Sequence, residues 1–200
     1  MAYSDFKASD LVAKFNVRFR AENLFATAQP IAPSAWLREA LARGQELGFS
    51  SEKSRSERLV TPILLEISDA NKHTFTIYSG ANLDVDEQAG LKGECDFIFS
   101  FSRIQDFVTA PVFCITEAKK QDLELGTVQA AAQLIGARKY NEQERKPVGV
   151  LYGASTTGIE WRFLKYENDD IIIDEKRYLL SDLPALLAAL QTIVTQAAAQ

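Results

Sequence analysis

The distribution of apolar residues predicts an α/β fold, with a central mixed sheet flanked by helices on both faces. Short runs such as Val112–Thr116, Phe97–Phe99 and Ile171–Ile173 stay apolar on successive residues, so both faces of those strands need cover. Segments with helical spacing precede, interrupt and follow these runs. A chain of 200 residues that is 46% hydrophobic and 24% charged suits one domain with a sizeable core.

Residues 1–50 read as an N-terminal helical extension. SDLVAKFNVRF is amphipathic, and the stretch from Ser34 has a serine N-cap and stops at Gly48. A further helix is predicted through residues 51–68, where Leu59, Ile63 and Ile67 recur at helical spacing and Pro62 introduces a kink. Strand patterns take over in HTFTIYSG, GECDFIFSF and APVFCITEA. A helix from Leu123 to Asn141 follows, with a small-residue core suited to close packing. PVGVLYGAS and EWRFLKYE form a strand pair joined around Thr157-Gly158, and DDIIIDEKRYLL adds another strand. The last 20 residues form a helix capped by Ser181 or Asp182, with Pro184 in its first turn.

Several function classes are set aside by composition. No apolar run approaches the ~20 residues of a membrane span. The first ten residues lack the basic-then-apolar pattern of a secretory signal, so a cytoplasmic protein with no membrane partner is expected. Cys95 and Cys114, the only cysteines, sit in apolar strand-like segments and read as buried small hydrophobes. His73 is the only histidine, which excludes single-chain sites needing two, such as HExxH zinc peptidases, HNH nucleases and HD phosphohydrolases. A net charge of −5 argues against a surface coated in basic residues to grip nucleic acid, though not against a local basic patch.

The chemistry is expected at Asp96, Glu117 and Lys119. Side chains alternate along a strand, so Glu117 and Lys119 point the same way, about 7 Å apart. If the two strands pair, Asp96 lies near Glu117. Two carboxylates so placed repel, and a divalent cation relieves the repulsion; hard oxygen ligands suit magnesium or manganese. Lys119 beside such an ion would position or activate a water, or offset charge on a phosphate. An acid two residues before a lysine also occurs at Asp5/Lys7, Glu144/Lys146 and Asp174/Lys176, but only Glu117 ends an apolar strand preceded by an aspartate-bearing one. The alternative is an ordinary strand-end ion pair, with Asp96 capping a turn.

These residues, with the segment SEKSRSERLVTPIL, resemble the PD-(D/E)XK or restriction-endonuclease-like nuclease superfamily, over about Ser51 to Tyr166. The resemblance is to small, uncharacterised bacterial members. It implies a core of order αβββαβ, with residues 51–200 as the nuclease-like domain. It also implies Asp96 and Glu117 as metal-binding acids, Lys119 as the catalytic lysine, and Glu52 as the helix acid completing the site, with Glu57 competing. Residues five apart lie about 140° apart on an α-helix, so both acids can hardly face one metal. Gln129 matches a glutamine that lines such sites, and Gln133 is one turn on. Cys95 stands where the family name suggests proline.

The implied activity is magnesium- or manganese-dependent cleavage of nucleic acid, DNA foremost, with homodimerisation as a further expectation. The alternatives are a catalytically inactive nuclease-like module binding nucleic acid or a protein, and a hydrolase of small phosphate esters. Arg55, Arg58, Lys120, Arg138, Lys139, Arg145 and Lys146 offer either a phosphate track or a solvated face. GASTTG and DVDEQAG read as turns rather than phosphate or calcium loops.

Overall fold

In a computed structural model describing residues 1–200, seven short strands pair into one mixed sheet. They are β1 (Arg18–Glu22), β2 (Thr76–Asn82), β3 (Glu94–Ser100), β4 (Val112–Ala118), β5 (Val150–Thr156), β6 (Glu160–Glu167) and β7 (Asp170–Leu179). The helices are α1 (Ala8–Phe15), α2 (Ala35–Glu46), α3 (Glu52–Arg55), α4 (Thr61–Ala70), α5 (Leu123–Gln143) and α6 (Leu183–Ala198). The sheet order is β1-β7-β6-β5-β4-β3-β2. The β1/β7 and β4/β5 pairs are parallel and the others antiparallel. No helix is long and apolar enough to cross a membrane.

Strand β4 lies deepest, with every residue from Val112 to Ala118 buried. That is possible because helices cover both faces. One core, holding Leu59, Ile63, Phe113, Trp161 and Leu186, lies where α2, α4 and α6 pack on the sheet. The other, holding Tyr3, Leu11, Ile98, Ile115 and the alanines of α5, fills the opposite face. Helix α5 sits close because its contact residues are small: at Gly136 a Cβ would overlap the Tyr3 hydroxyl, and at Gly153 of β5 it would press on Leu134. Asn141, fully buried, substitutes for a strand neighbour. Its amide donates to Val112 O at 2.7 Å and its Oδ1 accepts from Val112 N at 2.8 Å.

The N-terminal 50 residues differ from the all-helical expectation. Ser34 caps α2 by accepting from Leu37 N, and α1 forms, but Arg18–Glu22 pairs with β7 as an edge strand. RFRAE gives little strand signal because its charges face solvent or Asp170, which receives hydrogen bonds from Arg18 and Arg20. Tyr3, Phe6, Leu11 and Val17 belong to one core, and Phe25, Leu37 and Leu41 to the other.

The segment 51–70 is helical throughout but not regularly α. Between α3 and α4 lies a π-type turn, Ser56–Val60, closed by Thr61 N–H to Ser56 O. Pro62 has no N–H, so the Arg58 carbonyl four residues earlier loses its regular α-helical donor. Gly44 of α2 packs against that carbonyl so closely that a Cβ there would lie 2.6 Å from it. The wide turn absorbs the irregularity that the sequence signals as a proline kink.

Candidate functional site

The site forms where β3 and β4 part. Their ladder ends at Phe97↔Thr116, so Asp96 and Glu117 are the next facing pair and no longer share main-chain bonds. Asp96 Oδ2 accepts from Ala118 N at 2.7 Å and stitches the opening strands together. The Asp96 and Glu117 carboxyl groups face each other across this opening, and the charge of Asp96 acts on Glu117. Glu117 is only 3% exposed. Its Oε1 accepts from Lys119 Nζ at 2.7 Å and Gln129 Nε2 at 2.5 Å, and its Oε2 accepts from Gln133 Nε2 at 2.8 Å. Both glutamines come from α5, one turn apart on its buried face.

The electrostatics follow from this burial. Burial and the Asp96 carboxylate push the Glu117 carboxyl up to about 7, against the lowering pull of Lys119 and Gln133. Asp96 is also raised by burial, with the charge of Glu52 adding; the Ala118 N–H and Lys119 oppose this. Burial alone would lower Lys119, but the hydrogen bond and charge of Glu117 outweigh it and hold the ammonium above its usual value. The lysine is thus a firmly charged partner of a carboxyl pair that resists carrying two negative charges.

Lys119 is fixed by its surroundings. Its N–H donates to Thr156 O at 2.7 Å on β5. Its stem passes Gly126 in the first turn of α5, where a Cβ would lie 2.9 Å from Lys119 Cγ and overlap Ser155 Oγ. Glycine is required there because two strands and a helix converge on one point.

Asp96 opens onto a cleft of about 480 Å³ whose lining includes Glu52, Glu57, Glu94 and Ser79. Of the two helix acids, Glu52 approaches the β4 end, with Oε2 accepting from Lys120 N at 3.2 Å and its charge acting on Asp96 and Lys119. Glu57 lines the same cleft but turns to Lys53, 3.9 Å away. Regular α geometry would set these acids well apart; the π-type turn, which begins between them, brings both to one cleft.

The donors are hard oxygens of the kind magnesium and manganese favour, and Asp96 Oδ1 has no partner in the chain. Asp96, Glu117 and Glu52 would hold such an ion. No three His, Cys, Asp or Glu side chains converge as a preformed cage, however, so Glu52 would have to swing inward. Gln133 Oε1, fully buried beside Glu117, has no donor. This orphaned acceptor marks a polar site whose hydrogen bonding is incomplete.

Sequence reasoning missed Glu94. An exposed acid opening a strand reads as a solvated terminus, and only the pairing with β2 brings it to the cleft. Arg55 and Arg58 are not available for a phosphate track. Arg55 donates to Thr157 O at 2.9 Å and stacks 5.1 Å from the Phe49 ring, while Arg58 donates to Leu47 O at 3.1 Å and to Gly48 O. Arg138 lies 3.7 Å over the Tyr166 ring, and Lys139 pairs with Asp86. His73 does not open a strand: it lies in the turn after α4, held by Ser68 Oγ and Asp69.

No protein-family model matches the chain, and no curated protein is significantly similar to it.

Proposed function

We propose that this protein is a magnesium- or manganese-dependent nuclease of the PD-(D/E)XK kind, acting on DNA. The observation that carries the proposal is the facing of Asp96 and Glu117 where β3 and β4 part, with Lys119 paired to Glu117 and Asp96 open to a cleft that Glu52 also lines. The order α4-β2-β3-β4-α5-β5 supports it, with β6, β7 and β1 extending the sheet beyond that core. A divalent cation bound there would supply positive charge against a phosphate and a water of lowered pKa. Gln129 and Gln133 hold the Glu117 carboxylate oriented, Lys119 Nζ presents a proton donor against Glu117, and Ala118 N fixes Asp96.

Purified protein supplied with magnesium or manganese should cut DNA. Lys119→Ala should reduce the rate by ~10²-fold or more with an unchanged circular dichroism spectrum. Inert wild-type protein with both metals on DNA and RNA, or a fully active Lys119→Ala variant, would refute the proposal.

A second reading, a non-enzymatic module binding nucleic acid or protein, draws on one observation. Both Glu117 oxygens are already occupied by side-chain donors of the chain itself. On that reading, neither metal binds at millimolar concentration.

A further inference from the structure

We infer that a single strand of nucleic acid lies in the groove along the outer edge of β2, leading into the carboxylate cleft. This groove, about 840 Å³, runs between the C-terminal end of α4 and the loop joining β3 to β4. Ser79 lines both the groove and the cleft, so the two adjoin at the β2 edge. The inference rests on the nuclease reading for its direction toward Asp96, but its binding chemistry stands apart from catalysis.

Three features of the groove select the ligand. Lys72 and Arg103 both line it, and neither side chain makes a hydrogen bond or ion pair within the chain. Against these two cations the lining carries the single acid Asp106, so the groove is locally basic in a protein of net charge −5. Phe107, 61% exposed, lines the same groove beside these cations. An aromatic face next to unpaired cations suits stacked bases and a phosphate backbone together. Finally, Lys72 and His73 are consecutive non-glycine residues with φ of 51° and 53°. This left-handed backbone closes the C-terminal turn of α4, with His73 N–H donating to Ser68 O, and sets both side chains at the groove.

A duplex fits less well. Its bases are stacked on one another and unavailable to Phe107, and so few cations neutralise only a short length of one backbone. The cations and the aromatic come from two loops that line one groove, which suits a single chain lying between them.

The test is fluorescence anisotropy of a labelled oligothymidylate of about 15 nucleotides, the site size of a short single-strand groove, against a hairpin duplex, with EDTA present to prevent cleavage. The Lys72→Ala/Arg103→Ala variant should bind the single strand about tenfold or more weakly, with its log-log salt slope reduced by roughly 1.4, or ~0.7 per lost phosphate contact. Phe107→Ala should weaken single-strand binding about fivefold or more and duplex binding less. Variants that bind like wild type, a wild type that fails to bind the single strand at about 100 µM, or an equal loss for both ligands would overturn the inference. So would sedimentation showing a wild-type dimer that Phe107→Ala dissociates, because the β2 edge would then be a protein interface. Binding that depends on the groove in a protein that never cuts would retain this inference and discard the nuclease reading. Metal-dependent cutting unaffected by groove substitutions would do the reverse.

Discussion

Replacing Glu117 by glutamine should remove most of a pH dependence of folding stability that the wild type carries. Buried against Asp96, the Glu117 carboxyl is held at about 7, where its ordinary value is 4.5. The native state thus binds this proton more tightly than the unfolded chain does. The contribution to stability is complete below 4.5, declines as pH rises to about 7, and is absent above it. From 4.5 to about 7, at ~1.36 kcal/mol per pH unit, the loss is about 3 kcal/mol. Exposure of only 3% leaves little solvent screening to reduce it. Glutamine at this position can satisfy the site, because Gln133 can rotate its amide and offer its unpartnered Oε1 to the new N–H. Urea denaturation followed by circular dichroism, in EDTA at pH 5 and pH 8, reads the effect. The wild type should lose about 2–3 kcal/mol relative to Glu117→Gln between the two conditions. Parallel pH profiles for the two proteins would refute the claim that a buried carboxyl pair resists ionisation.

Other substitutions probe the scaffold around the site. Gly126→Ala should cost about 1–3 kcal/mol by equilibrium denaturation, because its methyl group collides with Lys119 and Ser155; a cost below ~0.5 kcal/mol would mean that α5 is not seated as described. Asn141→Leu strands the Val112 N–H and C=O and should cost about 2–4 kcal/mol, with faster amide exchange at Val112; unchanged exchange would contradict the pairing. Tyr3→Ala should cost about 3–5 kcal/mol, because the ring is buried against Gly136 and its hydroxyl donates to Leu83 O; a neutral result would contradict the seating of Tyr3 against α5. In a stability titration toward acid, Asp170→Asn should remove a loss that the wild type shows. Burial opposes ionisation of Asp170, but hydrogen bonds from Arg20 and Arg18 outweigh it and hold the carboxyl below its ordinary value. The unfolded chain therefore takes up the proton first, and stability present above the ordinary value falls as pH drops.

The central strands and the acids at their ends were legible because burial leaves a mark on sequence. Val112–Ala118 is apolar on both faces until Glu117, and an acid at the end of such a strand must be paired or bind something. The helix start at Ser34 was readable from its serine cap, a local signal, and the helix from Leu123 from its run of small residues. Strand β1 was not, since an edge strand carrying two arginines and a glutamate has no apolar alternation, and its partner lies some 150 residues away. The convergence of Glu52 and Glu57 on one cleft was hidden by an irregular turn that α-helical arithmetic does not describe. The fate of Arg55 and Arg58 was equally hidden, because the loop carbonyls they serve have no sequence signature.

Calorimetric titration of manganese into the apoprotein, repeated with Asp96→Ala, reaches the centre of the account most directly. Binding at millimolar concentration or tighter, abolished by the substitution, is what paired carboxylates beside Lys119 require. Heat that is absent from the wild type, or unchanged in the variant, would contradict a divalent-cation site where β3 and β4 part.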